Sequence, residues 1–143
     1  MKIKNLITEL NYQLFDIFYG IRCHRIWFVI LVISLIALFA FNYLNGYVKP
    51  QSQLDWLDII GEGSSTIMVL LWVLVILSTR TPGKITNYFS FGFICILLSL
   101  SQDFIDEFIR LESYTIVGNL MECMFIGLGI VTYAFWQWRK DLG

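Results

Sequence analysis

Four apolar stretches of roughly 20 residues constrain the fold of this chain more than any other feature. They lie at about 26–44, 56–79, 85–108 and 114–138. A helix needs roughly 20 apolar residues to cross the hydrocarbon core of a bilayer. The first stretch has no charged residue, and Trp27 and Tyr43 lie near its ends, as aromatic side chains at membrane interfaces do. The pattern predicts four transmembrane helices, and the short link at 110–113 predicts that the third and fourth are antiparallel neighbours.

The composition excludes an ordinary soluble domain. Charged residues make up 15% of the chain, apolar residues 57%, and the mean hydropathy is +0.69. A soluble domain has about a quarter charged residues to keep its surface wettable. The length of 143 residues leaves no room for a second soluble domain, and the net charge of −1 gives no indication of nucleic-acid binding. We therefore expect an all-α integral membrane four-helix bundle over residues 26–143.

Residues 1–25 have the pattern of an amphipathic helix. Apolar residues recur at helical spacing, at Ile3, Leu6, Ile7, Leu10, Leu14 and Ile17. Because charged residues lie off this stripe and no cleavage site follows, we expect a helix on the cytoplasmic membrane surface rather than a signal peptide. The alternative is that the stripe docks a partner, and the candidate residues for that contact are Leu6, Leu10 and Leu14.

Lysine and arginine predict the orientation, because they accumulate on the cytoplasmic side of a membrane. If both ends of the chain are cytoplasmic, eight of these residues lie on that side: Lys2, Lys4, Arg22, Arg25, Arg80, Lys84, Arg139 and Lys140. Lys49 and Arg110 lie on the other. The distribution predicts cytoplasmic termini, and we expect the protein to lie in a bacterial inner membrane. Candidates for contact with an effector are Arg80, Lys84, Arg139 and Lys140.

Acidic residues are concentrated at the opposite ends of the apolar stretches. Eight of the eleven lie there: Asp55, Asp58, Glu62, Asp103, Asp106, Glu107, Glu112 and Glu122. Helical spacing puts Asp58 and Glu62 on one face with Asp55, and it puts Asp103, Glu107 and Arg110 on another. Arg110 is then expected to form an ion pair with Asp106 or Glu107. Together these spacings predict an acidic vestibule that faces the extracytoplasmic side.

Such a vestibule is the candidate binding site. Its proposed ligand residues are Glu62, Asp103, Glu122, Asp58, Asp106 and Glu107. Clustered carboxylates bind divalent cations such as Ca²⁺ or Mg²⁺, and in a low dielectric they also bind protons. The structural alternative is that acids at helix starts favour the positive dipole end or are solvated at the interface. The small residues at 61–65 indicate tight helix packing, or an irregular backbone beside a ligand, and Gly92, Gly127 and Gly129 have the same two interpretations.

Motifs for catalysis and for soft metals are lacking. The chain has three cysteines without a CxxC spacing and a single histidine. It contains no GxSxG, P-loop, HExxH or GxGxxG motif, so an enzyme is not expected. Met121, Cys123 and Met124 surround Glu122, but thioethers and thiols commonly fill gaps between helices, which disfavours copper. The expected cofactor is none, apart from a possible divalent cation.

Three segments carry a family resemblance: DWLDIIGE at 55–62, SQDFIDEF at 101–108, and the spacing of Glu122, Gly127, Gly129, Tyr133 and Trp136. The pattern resembles the multi-helix membrane sensor region that precedes the catalytic domain of some bacterial GGDEF diguanylate cyclases, over about residues 50–138. The chain departs from that family at 138–143, where a linker and cyclase would follow. The resemblance implies a stand-alone membrane module without cyclase activity.

The leading prediction is a non-enzymatic membrane sensor or adaptor subunit that couples to a separate effector. One alternative is a cation or proton channel or transport subunit. Another is a structural subunit of a larger membrane complex, such as envelope polysaccharide or phage-defence machinery. Besides membrane lipid, we expect partners in the form of a homo-oligomer or a hetero-complex, because so small a bundle has few places to bury its acids.

Overall fold

The structure, a computed structural model, consists mainly of α-helices. It describes the backbone of residues 2–77, 83–111 and 115–143, and their side chains except 16–18, 20–23, 115–119 and 121. Five α-helices lie in these ranges: α1 (Lys2–Cys23), α2 (Arg25–Asn45), α3 (Trp56–Leu77), α4 (Lys84–Asp106) and α5 (Thr115–Leu142). Strand β1 (Gly46–Val48) follows α2, strand β2 (Ile109–Leu111) follows α4, and a 3-10 turn covers Gln51–Gln53.

Three helices of the described chain, α2, α3 and α4, are long and apolar enough to cross a membrane. This confirms the membrane character and the helical class that the sequence predicts. The fourth apolar stretch also forms a helix, α5, which is not one of those three. A fourth crossing along α5 therefore stays a prediction, as does the position of α1 on a membrane surface.

Helix α4 is the centre of the bundle. It contacts α2, α3 and α5, and the apolar core is built around its residues Phe93, Ile94, Ile96 and Leu97. In the most apolar segment of α4, 61% of the residues are buried, against 11% in both α2 and α3. The outer helices thus expose most of their apolar side chains, which suits a protein that has lipid as its solvent.

The helices alternate in direction. Trp27 of α2 donates a hydrogen bond to Asn87 of α4, and Asn42 of α2 bonds Gln102 of α4. The two residues of each pair are 60 positions apart in the sequence. Because this separation is the same at both ends, α2 and α4 run parallel. Helix α3 runs antiparallel to α4, and so does α5. The predicted antiparallel packing of the third and fourth apolar segments is confirmed by the contact of Phe89 with Phe135.

Two glycines bring the backbones of α4 and α5 together. A Cβ atom on Gly127 would lie 2.6 Å from the carbonyl oxygen of Gly92, and one on Gly92 would lie 2.9 Å from the carbonyl oxygen of Gly127. The predicted tight packing is confirmed for both residues. It is wrong for Gly129 and Gly61, because a Cβ on either would have no neighbour within 4 Å among the described residues.

A two-stranded ribbon closes one end of the bundle. β1 and β2 pair antiparallel with Tyr47 opposite Arg110, and the Lys49 amide donates to the Phe108 carbonyl oxygen at 2.8 Å. The third apolar stretch was expected to stay helical to residue 108, but α4 ends at Asp106. Three-residue strands carry too weak a local pattern to be predicted, and they form here because α2 and α4 end side by side.

Candidate functional site

The start of α3 and the end of α4 meet at the ribbon end of the bundle, because these helices are antiparallel. The side chain of Asp55 caps α3: its Oδ1 accepts from the amides of Leu57 at 3.0 Å and Asp58 at 3.4 Å. Such a bond satisfies amides that have no partner within the helix. For Asp55 this confirms the structural alternative that the sequence left open.

Glu62 lies at the centre of the acidic group. Its Oε2 atom is buried and has no hydrogen-bond partner in the part of the chain that the structure describes. Four other carboxylates are close enough to act on it electrostatically: Asp58, Asp103, Asp106 and Glu107. We call these five residues the acidic cluster. The structure thus brings together five of the six predicted ligand residues.

The sixth predicted residue, Glu122, lies apart from this group. It belongs to α5, its side chain is exposed, and it is not among the carboxylates that act on Glu62. The acidic cluster is therefore built from α3, the end of α4 and the turn that follows, rather than from three helices. Glu112, another of the eight acidic residues assigned to this side, lies outside the described residues.

Arg110 does not share a helical face with Asp103 and Glu107, so that prediction is wrong. Because α4 ends at Asp106, Arg110 lies on β2, where its side chain is exposed. The ion pair of Arg110 with Asp106 or Glu107 was predicted from residues three or four positions apart in a helix. That spacing brings side chains together only within a helix, and Arg110 is not in one.

The geometry does not form a ready metal centre. Within residues 2–77, 83–111 and 115–143, no group of three or more His, Cys, Asp or Glu side chains is placed to hold a metal ion. The possible divalent cation therefore stays a prediction.

A buried amide pair lies directly beside the cluster. Asn42 Nδ2 donates to Gln102 Oε1 at 2.7 Å, and Gln102 Nε2 donates back to Asn42 Oδ1 at 3.0 Å. Asn42 is 0% exposed and Gln102 is 1% exposed. Sequence reasoning missed this pair. The signal in the sequence was an amide within the first apolar stretch and two amides within the third, since polar groups at membrane depth need partners.

A second bond ties α3 to α4 one turn below Glu62. The hydroxyl of Thr66 approaches the carbonyl oxygen of Leu100 at 3.2 Å and that of Glu62 at 2.8 Å. The ring of Phe104 lies 3.0 Å from the Cβ position of Gly63. The contacts of Thr66 and Phe104 thus connect α3 with α4 beside the acidic cluster, and Gln102 connects α4 with α2.

The candidates for partner contact lie on α1 and at the other end of the bundle. Leu6, Leu10 and Leu14 are exposed on α1, which contacts α2 and α3. Lys84 begins α4, and Arg139 and Lys140 lie in the last turn of α5. Arg80 lies outside the described residues. The structure separates these basic residues from the acidic cluster by the length of α4.

Comparison with protein-family models, with curated proteins and with solved structures finds no match to this chain. The resemblance to sensor regions of diguanylate cyclases therefore stays a prediction.

Proposed function

We propose that the protein is a non-enzymatic membrane sensor or adaptor subunit. In this proposal the acidic cluster responds to an extracytoplasmic cation, proton or cationic ligand, and the basic end engages a separate effector. The observation that carries it is the buried Oε2 atom of Glu62, which has no hydrogen-bond partner among the described residues and lies among four other carboxylates. A bound cation or proton would give this oxygen a partner and reduce the repulsion between the carboxylates.

The residues around Glu62 connect the binding of a cation or proton to the helix contacts of the bundle. Thr66, one turn further along α3, bonds α4, and Gln102, which precedes Asp103, bonds α2. A change of charge at the cluster therefore acts where three helices are joined. A ligand shifts a conformational equilibrium only by its differential affinity for the two states, and relief of carboxylate repulsion supplies such a difference.

Transport through a single subunit is less well supported. The core between the two ends is apolar, with Val73, Leu77, Leu97 and Val131 packed against one another. A hydrated path for ions needs polar groups or charged rings along its walls. A cation or proton channel would accordingly have to run between subunits of an oligomer.

The proposal includes four crossings, with both termini in the cytoplasm of a bacterial inner membrane. It is supported by the alternating directions of α2 to α5 and by the eight lysine and arginine residues assigned to one side. We propose α5 as the fourth crossing because it packs antiparallel along α4.

Hydrogen exchange of the full-length protein in detergent, read by mass spectrometry, tests the sensor. Exchange of peptides covering 100–111 is compared between about pH 5 and pH 8, a range that spans the upper end of carboxylate titration, and with and without Ca²⁺. We expect protection that depends on protons or cations in the native protein and is lost in Glu62→Gln. Glu122→Gln is the matched control and should respond like the native protein.

An unchanged exchange pattern in the native protein, or an equal response of Glu62→Gln, would reject the acidic cluster as the sensing element. Ion flux in liposomes then separates the transport alternative, which requires Glu62→Gln to lose flux. Purification from native membranes in a gentle detergent, with mass spectrometry of retained proteins, identifies the effector. A stoichiometric companion is the expected result, and a homo-oligomer without one contradicts the adaptor role.

A further inference from the structure

The basic end of the bundle contains a groove between α3, α4 and α5 that the proposed function does not use. It has a volume of about 680 Å³. Three pairs of side chains form its walls, one pair from each helix: Trp72 and Ile76, Phe89 and Phe93, Phe135 and Trp138. The volume lies within the roughly 300–1,000 Å³ of typical ligand pockets.

Ring contacts hold the walls of the groove in place. Phe93 packs edge-on against Trp72 at 5.6 Å between ring centroids and stacks with Phe89 at 6.3 Å. Phe89 in turn contacts Phe135 at 4.8 Å, and Phe135 contacts Trp138 at 6.3 Å. The five rings form one connected row across three helices. Such a wall cannot collapse easily to fill the groove, so hydrocarbon from outside the chain must supply the missing dispersion contacts.

The groove extends along α3 toward the middle of the bundle. A second depression, lined by Ser64, Ser65 and Met68, shares Trp72 with the first. From Ser64 to Ile76 the helix rises about 18 Å. Half of a bilayer core of about 30 Å is close to this length. The combined surface therefore suits a single hydrocarbon chain of one leaflet.

Positive charge lies at the mouth of the groove. Arg139 shares a helical face with the lining residue Phe135, four residues earlier on α5, and Lys84 directly precedes the lining residue Ile85. Both side chains are exposed. The neighbouring acid is Asp141, so Lys84, Arg139 and Lys140 leave this end positive. An apolar groove with a basic mouth is complementary to a lipid that has an anionic headgroup.

We propose that this groove binds an anionic phospholipid: one acyl chain lies along the aromatic wall, and the headgroup phosphate contacts Arg139 and Lys84. Arginine suits this role because its guanidinium can donate two parallel hydrogen bonds to phosphate. Lys140 is not part of the site, because its Nζ lies over the ring of Trp136, 3.7 Å from the centroid.

Native mass spectrometry of the full-length protein tests the site. The protein is mixed with equal amounts of phosphatidylglycerol and phosphatidylcholine, and the lipid retained after release from detergent is counted. We expect one phosphatidylglycerol per subunit, retained in preference to phosphatidylcholine. Arg139→Gln should lower its retention about fivefold, which corresponds to one basic residue at an anionic surface.

Two comparisons make the test specific. Lys140→Gln removes the same charge at the same end and should leave retention unchanged. Thr86→Phe places a ring in the groove and should lower retention of both lipids, since it displaces the acyl chain. An equal loss of phosphatidylglycerol retention in Lys140→Gln and Arg139→Gln would show general attraction of the lipid to a basic surface, and it would overturn the proposal. Retention that survives Thr86→Phe would overturn it too, as would a lipid-free dimer with the groove covered by a second copy.

Discussion

Helix α4 is held by different kinds of contact to α2, which runs parallel to it, and to α5, which runs antiparallel to it. Against α5 it uses shape: Gly92 and Gly127 let the two backbones touch. Against α2 it uses polar bonds at two levels, Asn42 with Gln102 and Trp27 with Asn87. In lipid there is no hydrophobic force between apolar helices, so association needs either close packing or hydrogen bonds. This protein uses one device on each side of its central helix.

Gly127→Ala should break the shape-based interface and have the largest effect. The new methyl group would meet the Gly92 carbonyl oxygen, which belongs to a helix backbone and cannot move aside alone. We expect a loss of about 3 kcal/mol in unfolding free energy, at the upper end for overpacking, measured by titration with SDS in mixed micelles. Gly129→Ala on the same helix meets nothing within 4 Å and should not destabilise the protein.

Gly46→Ala should loosen the junction between α2 and the ribbon. Its methyl group would collide with the Ile109 side chain and lie 2.8 Å from the Asn42 carbonyl oxygen. Because part of this obstacle is a side chain that can turn away, we expect a smaller loss of about 2 kcal/mol. Hydrogen exchange at residues 46–48 and 109–111 should rise. Gly61→Ala, which meets no atom of the described residues within 4 Å, is the control, and an equal loss there would contradict the explanation.

Asn42→Leu tests the polar interface. It leaves the buried Gln102 amide without its partner and should cost about 1.5 kcal/mol, since an unsatisfied buried amide costs about 1–3 kcal/mol. Gln102→Met should cost a similar amount. The double variant should lose less than the sum, because both polar groups are then removed. Strict additivity in unfolding free energy would show that the reciprocal bonds do not hold α2 to α4.

Trp27→Phe should have the smallest effect. It removes the bond from Nε1 to Asn87 Oδ1, which is 2.9 Å long and exposed, while it keeps a ring to pack against Phe91. We expect a loss of about 0.5 kcal/mol, as for an exposed neutral hydrogen bond. Asn87→Ala should give the same loss. A loss as large as that of Asn42→Leu would mean that the two polar contacts of α2 are equivalent.

The acidic end shows how far residue spacing can be carried without a tertiary structure. The capping role of Asp55 was available from the sequence, because a cap depends on the next three residues alone. The gathering of Asp58, Glu62, Asp103, Asp106 and Glu107 was predicted correctly from helix ends that share one side. Glu122 was assigned to the same group because it lies toward the same end of its apolar stretch, but that position does not determine the direction in which a helix presents a side chain.

What the sequence by itself determined is the set of helices, their alternation and the membrane class. Those properties depend on the apolar content of single segments and on the short link between α4 and α5. Only the tertiary structure decided that α4 is central, that Asn42 meets Gln102, that β1 pairs with β2 and that Arg110 leaves the helix. Each of these depends on the rotation of one helix against another, which is set by contacts between residues far apart in the chain.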